Sequence, residues 1–118
     1  MAIHNELGKQ GERLAVDYLI KKGHEIIVLN YRHEKAEVDI ISNHAGTIVF
    51  TEVKTRSTDR YGYPEGAVNS KKQEMLREAM EHYLAENNIK DEARFDIISI
   101  VINGNGEDIH HIEDAFYH

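Results

Sequence analysis

Apolar and polar positions recur along this chain with two different periods, and the changes of period mark its elements. Residues 6–22 repeat at helical spacing, with Leu7, Gly11, Leu14, Ala15 and Tyr18 on one arc, Asn5 placed to cap the start and Gly23 following the end. Three β-rich runs come next: Glu25–Tyr31, Glu37–Ile41 and Ile48–Lys54. The turn Asn43-His44-Ala45-Gly46 joins the last two as an antiparallel hairpin. Ser70 and Gln73 have capping-box spacing and open a second amphipathic helix that reaches about Glu86, with Leu76, Ala79, Met80, Tyr83 and Leu84 on its apolar side. Two further strands, Phe95–Ile102 and Ile109–Ile112, flank the turn Asn103-Gly104-Asn105-Gly106. The order α-β-β-β-α-β-β predicts an α/β or α+β fold: a mixed sheet with one helix on each face, or both on one.

The chain has 118 residues, no internal repeat and a single proline, Pro64, so one domain spanning 1–118 is expected. The absence of cysteine excludes a disulfide framework, a thiolate zinc site and a thiol nucleophile, and suits a reducing cytoplasm. No apolar run approaches the ~20 residues that span a bilayer. The start, Met1 to Glu6, lacks the basic-then-apolar pattern of a secretion signal. A cytoplasmic protein without membrane contact is expected.

Side chains alternate across a strand, so Ile48, Phe50, Glu52 and Lys54 share one face, as do Glu37, Asp39 and Ile41. An even hairpin loop puts both sets on the same side, and pairing Ile41 with Phe50 sets Asp39 opposite Glu52 and Glu37 opposite Lys54. Carboxylates facing each other at ~5 Å repel unless something positive lies between them. Their hard oxygens suit Mg²⁺ or Mn²⁺, which take one or two protein carboxylates and fill the shell with water and substrate phosphate. Lys54 is then placed to orient a metal-bound water or to stabilise charge at phosphorus, as phosphodiester hydrolysis requires. An ordinary ion pair of Glu37 with Lys54 on a solvated face has the same spacing. Against it, these charges interrupt strongly hydrophobic strands, where unpaired charge is costly.

The stretches Glu37-Val38-Asp39-Ile40-Ile41 and Val49-Phe50-Thr51-Glu52-Val53-Lys54-Thr55-Arg56 resemble the PD-(D/E)xK core of restriction-endonuclease-like nucleases, without the proline before Asp39. With Gly11-Glu12, Ala15, Tyr18-Leu19, Asn30-Tyr31-Arg32, Lys72, Ala79, Tyr83-Leu84 and Arg94-Phe95-Asp96, almost the whole chain is similar to the YraN-like family of small bacterial proteins, related to archaeal Holliday junction resolvases. The resemblance implies a restriction-endonuclease-like mixed central sheet flanked by helices, with Asp39 and Glu52 as metal ligands and Lys54 as the catalytic lysine. Glu12 would match an additional helix-one glutamate of resolvases. Helical geometry separately places it at the border of the apolar arc, beside Val16 and Leu19 rather than among Lys9, Arg13 and Asp17. Glu37 is read as a partner for Lys54 or Arg32. Resolvases act as symmetric dimers, so a homodimer is admissible, although no dimer face is visible in these residues.

The stretch Thr55–Asn69 is nearly free of aliphatic residues and carries Arg56, Arg60, Tyr61 and Tyr63, a composition suited to phosphate contact and base stacking. Lys71 and Lys72 extend this positive strip. The histidines, including His110-His111, fit no zinc-protease spacing, and Asp96 is an acidic interruption without an assigned place. A formal charge of -7 argues against a polyanionic partner at first sight. Its distribution changes that: residues 73–118 carry 3 basic and 11 acidic groups, whereas residues 40–72 carry 5 and 3. Nucleic-acid binding is therefore expected to be modest, metal-assisted, salt-sensitive and confined to the Lys54–Lys72 side. Two functions follow: a Mg²⁺- or Mn²⁺-dependent endonuclease hydrolysing DNA, on branched or recombination intermediates, or a catalytically silent nucleic-acid-binding or assembly module on the same fold.

Overall fold

The computed structural model describes residues 2–57 and 70–116, with side chains from residue 6 onward. Helix α1 (Ala2–Lys21) is followed by β1 (Glu25–His33), β2 (Ala36–His44), β3 (Thr47–Arg56), α2 (Ser70–Glu86), β4 (Ala93–Asn103) and β5 (Gly106–Ile112), the order expected from the periodicity. Each strand extends beyond its β-rich run at one end or both, because pairing carries the ladder into the flanking residues. Helix α1 begins at Ala2, so Asn5 lies inside it and does not cap it. Ala2 is a strong helix former and nothing before Asn5 breaks a helix, which outweighs the capping preference of Asn. At the other end His24 N–H donates to Leu19 O and Gly23 N–H to Ile20 O, with Gly23 at φ +96°. This Schellman closure needs the left-handed residue that Gly23 supplies.

The strands lie in the order β1-β2-β3-β4-β5 and pair antiparallel, except for the parallel pair β3–β4, whose connection passes through α2. One helix covers each face. Leu76, Ala79, Met80 and Tyr83 of α2 pack on Ile41, Phe50, Phe95 and Ile97, and Ala15 and Leu19 of α1 pack on Ile40, Ile98 and Ile100. Burial from both sides explains why β4 reads as a nearly continuous apolar run. Gly11 lets α1 touch β3: a Cβ there would overlap the Thr55 hydroxyl and stand 2.8 Å from Thr55 Cβ. No helix among the described residues is long and apolar enough to cross a membrane.

The outer hairpin bends where Asn30 adopts φ 57°. Its ladder pairs Leu29 with Ile40 and resumes at Tyr31 with Val38, leaving Asn30 and Asp39 between. Regular alternation would put Val38 on the α1 side with Ile40, yet Val38 and Ala36 join Ile41 in the core beneath α2. The expected common face of Glu37, Asp39 and Ile41 is thereby corrected. The bend turns Glu37 out to solvent, where it pairs with Arg32 at 3.7 Å, one of its two expected partners.

Candidate active site

The inner hairpin sets the geometry. Ala45 and Gly46 both take positive φ (53° and 91°), and Asn43 Oδ1 accepts the Gly46 N–H at 3.0 Å, which makes a tight two-residue loop. The register then runs from His44↔Thr47 through Ile41↔Phe50, as expected, to Ile40↔Thr51. There the paired ladder ends. Val53 N–H donates to Asp39 Oδ2 at 2.7 Å, so Asp39 does not form the expected direct cross-strand pair with Glu52. Its carboxylate enters the splay between β2 and β3 and takes the N–H that a strand carbonyl would otherwise receive.

Phe50 lies beneath α2, and Glu52 and Lys54 continue its face along β3. Glu52 is 5% exposed, and its Oε2 accepts Lys54 Nζ at 3.1 Å and Lys72 Nζ, from the first turn of α2, at 2.9 Å. The expected Glu37–Lys54 pair is corrected: Lys54 turns to the nearer, more deeply buried carboxylate on its own strand. Asp39, Glu52, Lys54 and Lys72 line one cleft of about 490 Å³, together with Glu37, Lys35 and the apolar base Met75 and Leu76. Lys35 was not singled out in the sequence. It belongs to the two-residue turn between His33 and Ala36, which stands at the rim of the cleft.

Burial, followed by the charges of Glu12, Glu52 and Glu37, pushes the Asp39 carboxyl up to about 7 against the opposing pull of the Val53 N–H. Burial and then Glu37 also raise Glu12. Burial alone would lower the Lys72 ammonium, but its hydrogen bond and attraction to Glu52 hold it above its ordinary value. The cleft therefore holds two carboxylates of opposite character: buried Glu52 is neutralised by lysines, and half-buried Asp39 is short of positive charge. No three His, Cys, Asp or Glu side chains gather into a metal cage among the described residues. Two carboxylates are nevertheless the set a hydrated Mg²⁺ ordinarily uses.

Glu12 is half-buried and lines a neighbouring groove with Lys9, Arg13, Val16, Asp17 and Leu29. It borders Val16 as the helical arc placed it, but the expected separation from Lys9, Arg13 and Asp17 is not kept. It is close enough to repel Asp39, yet it does not line the cleft of Asp39 and Glu52. Arg56 ends β3 and Lys71 is exposed beside Lys72, whereas Arg60, Tyr61 and Tyr63 lie outside the described residues.

Asp96 now has a place. Fully buried on the α1 face, its Oδ1 accepts Arg94 Nε and Asp114 N–H, both at 3.0 Å, and its Oδ2 accepts Arg94 Nη2 at 3.2 Å and pairs with His111 Nε2 at 2.8 Å. His111 Nδ1 meets Tyr18 Oη at 3.1 Å. Burial alone would raise Asp96, but the bonds from His111, Arg94 and Asp114 bring it below its ordinary value. This network ties α1, β4, β5 and the chain after β5 together on the face opposite the cleft, so it is a support of the fold. The acidic interruption in an apolar strand was its only signal in the chain, and the register that sets Ile98 against His111 brings the partner ring to it.

Known proteins match along nearly the full length. A UPF0102 protein of Christiangramia forsetii is 52% identical over 118 residues, covering 100% of this chain and 99% of the relative. Another from Flavobacterium psychrophilum is 44% identical over 118 residues (100% and 99%), and one from Thermodesulfovibrio yellowstonii 43% over 112 residues (95% and 96%). The model of the uncharacterised protein family UPF0102 matches residues 11–100, a span that holds Glu12, the hairpin with Asp39, Glu52 and Lys54, and Lys72. On this match and these relatives, the chain belongs to the UPF0102 family.

Proposed function

We propose that the protein is a Mg²⁺- or Mn²⁺-dependent endonuclease that hydrolyses DNA phosphodiester bonds, on branched or recombination intermediates, with a restriction-endonuclease-like sheet as its scaffold. The observation that carries this reading is the meeting of Asp39, Glu52 and Lys54 on one open cleft, with Asp39 held near 7 by burial and by the carboxylates around it. A half-buried carboxyl so short of positive charge, beside a second hard-oxygen donor in Glu52, fits a divalent cation. Asp39 and Glu52 would hold the ion, which when bound supplies Lewis-acid polarisation of a phosphoryl oxygen and acidifies water.

The chain's own groups do the rest. Val53 N–H fixes the direction of the Asp39 carboxylate, so the donor is aimed before any ligand arrives. Lys54 holds Glu52 and places an ammonium where negative charge grows on the phosphate during attack. Lys35 over the cleft offers a cationic contact to a nucleic-acid backbone, and Arg56, Arg60 and Lys71 are assigned to the same role by their sequence positions alone. Glu12 acts from its own groove through its charge on Asp39.

One feature favours the alternative of a catalytically silent nucleic-acid-binding or assembly module: Glu52 is already neutralised by two lysines. A single comparison separates the two. Wild type should cleave duplex, flap or four-way-junction DNA in Mn²⁺, and Asp39→Ala and Lys54→Ala should not. Equal traces of cleavage in all three proteins would overturn the enzyme reading in favour of the module.

A further inference from the structure

We propose that Lys72 is an internal counter-ion that a divalent cation displaces from Glu52, and that metal loading thereby turns this ammonium toward the substrate phosphate. The inference rests on the endonuclease reading and adds to it how the site passes from a latched to a loaded state.

A carboxylate that is 5% exposed requires a positive partner, and Glu52 has two on the same oxygen. The two lysines are not equivalent. Lys54 is two residues from Glu52 on the same face of β3, so its backbone keeps the ammonium close to Glu52. Lys72 reaches Glu52 from another element, the first turn of α2, along a flexible four-carbon stem. The helix itself is anchored further along by Leu76, Ala79, Met80 and Tyr83, so Lys72 can swing away without moving α2.

A divalent cation bound by Asp39 and Glu52 adds two positive charges beside two ammonium groups that meet at one carboxylate oxygen. Like charges at such separations repel strongly in a partly desolvated cleft. The cross-element lysine gives way. Its new surroundings are the open side of the same cleft, where Lys35 also lies and where the phosphate would enter. Without metal the Lys72–Glu52 contact instead latches α2 to β3 and covers the donor atom.

The test reads metal binding and not turnover. Mn²⁺ is titrated calorimetrically, without DNA, into wild type, Lys72→Met and the remote exposed control Lys90→Met. Lys72→Met should bind Mn²⁺ about ten-fold more tightly than wild type, and Lys90→Met should match wild type. A second measurement needs no variant: labelling of wild type with an amine-reactive acylating reagent, read by mass spectrometry, should increase at Lys72 when Mn²⁺ is added and stay constant at Lys54. Unchanged or weaker Mn²⁺ affinity in Lys72→Met, or Lys72 labelling indifferent to Mn²⁺, overturns the counter-ion role and leaves the metal site standing. Absence of Mn²⁺ binding in wild type and Lys72→Met alike overturns the metal-dependent reading and this inference with it.

Discussion

Val53 N–H points at Asp39 Oδ2 across 2.7 Å, so a side chain from β2 completes the backbone of β3. An asparagine keeps that acceptor and removes the charge. The folded-state value near 7 lies above the ordinary 3.8, so the folded protein binds more protons between these two values. The stability contributed by the protonated carboxyl is complete below about pH 3.8 and is lost as pH rises through 7. Asp39→Asn should therefore be more stable than wild type at pH 8 by about 2 kcal/mol and equal to it near pH 4, as thermal melts at the two pH values will show.

The same residue predicts a metal response. At pH 8, adding Mn²⁺ should raise the melting temperature of wild type, because a ligand of the folded state stabilises it by mass action. Chelation should reverse the rise. Asp39→Asn should show little of it, and an equal rise in both proteins would remove Asp39 from the ligand set.

His24 works against Asp39 on acidification. It is buried, Nδ1 lies 2.9 Å from Ser42 Oγ, and its ring stacks on His44 at 4.2 Å. Burial first and the neighbouring His44 second lower its value from 6.5 to about 4. The folded state binds fewer protons in that window, so His24 contributes stability above pH 6.5 that is lost as pH falls toward 4, by at most about 1.4 kcal/mol per pH unit. Asp39 contributes the opposite slope over nearly the same range. Wild-type stability should thus vary little between pH 6.5 and 4. Asp39→Asn should lose stability on acidification and His24→Asn should gain it, as denaturant titrations at several pH values will test.

Asp96→Ala removes the acceptor shared by Arg94, His111 and the Asp114 N–H and leaves the Arg94 cation without its buried partner. A loss of about 3–5 kcal/mol is expected from denaturant unfolding. Because this network and the cleft lie on opposite faces, Mn²⁺ affinity of the folded Asp96→Ala fraction should stay at the wild-type value.

Two glycines of one helix should respond with opposite signs. Gly11→Ala drives a methyl into Thr55 and should cost about 1–3 kcal/mol by overpacking. Gly8 has no atom within 4 Å of a built Cβ, so Gly8→Ala should stabilise by about 0.5–1 kcal/mol through helix propensity. Melting temperatures of the two variants check both.

The helices, the order of elements along the chain and the Ile41↔Phe50 register were legible because each follows from a local period or a short even turn, whereas the order of strands within the sheet was not read. The facing of Glu52 and Lys54 followed from that register. The turning-out of Glu37 and the approach of Lys35 were hidden, since the outer hairpin departs from regular alternation around Asn30, whose left-handed backbone conformation side-chain periodicity does not encode. The Lys72–Glu52 contact was hidden as well, because it depends on how α2 lies over β3. Asp96 was visible as an anomaly but not as a network: its partners reach it from β5 and the chain after it, and Tyr18 joins through His111 from 93 residues away.

The parallel pair β3–β4 also orders events during synthesis. The hairpins β1–β2 and β2–β3 close over short turns, but a parallel pair needs the whole crossover through α2 before its first hydrogen bond can form. A nascent chain exposed only as far as Ser57 already carries Asp39, Glu52 and Lys54, but not Lys72. Its acidic pair completes its counter-charges only when α2 docks, so the cleft reaches its final electrostatic state after the local hairpins have closed. Occupancy of the Lys72–Glu52 contact is in that sense a marker of a finished fold.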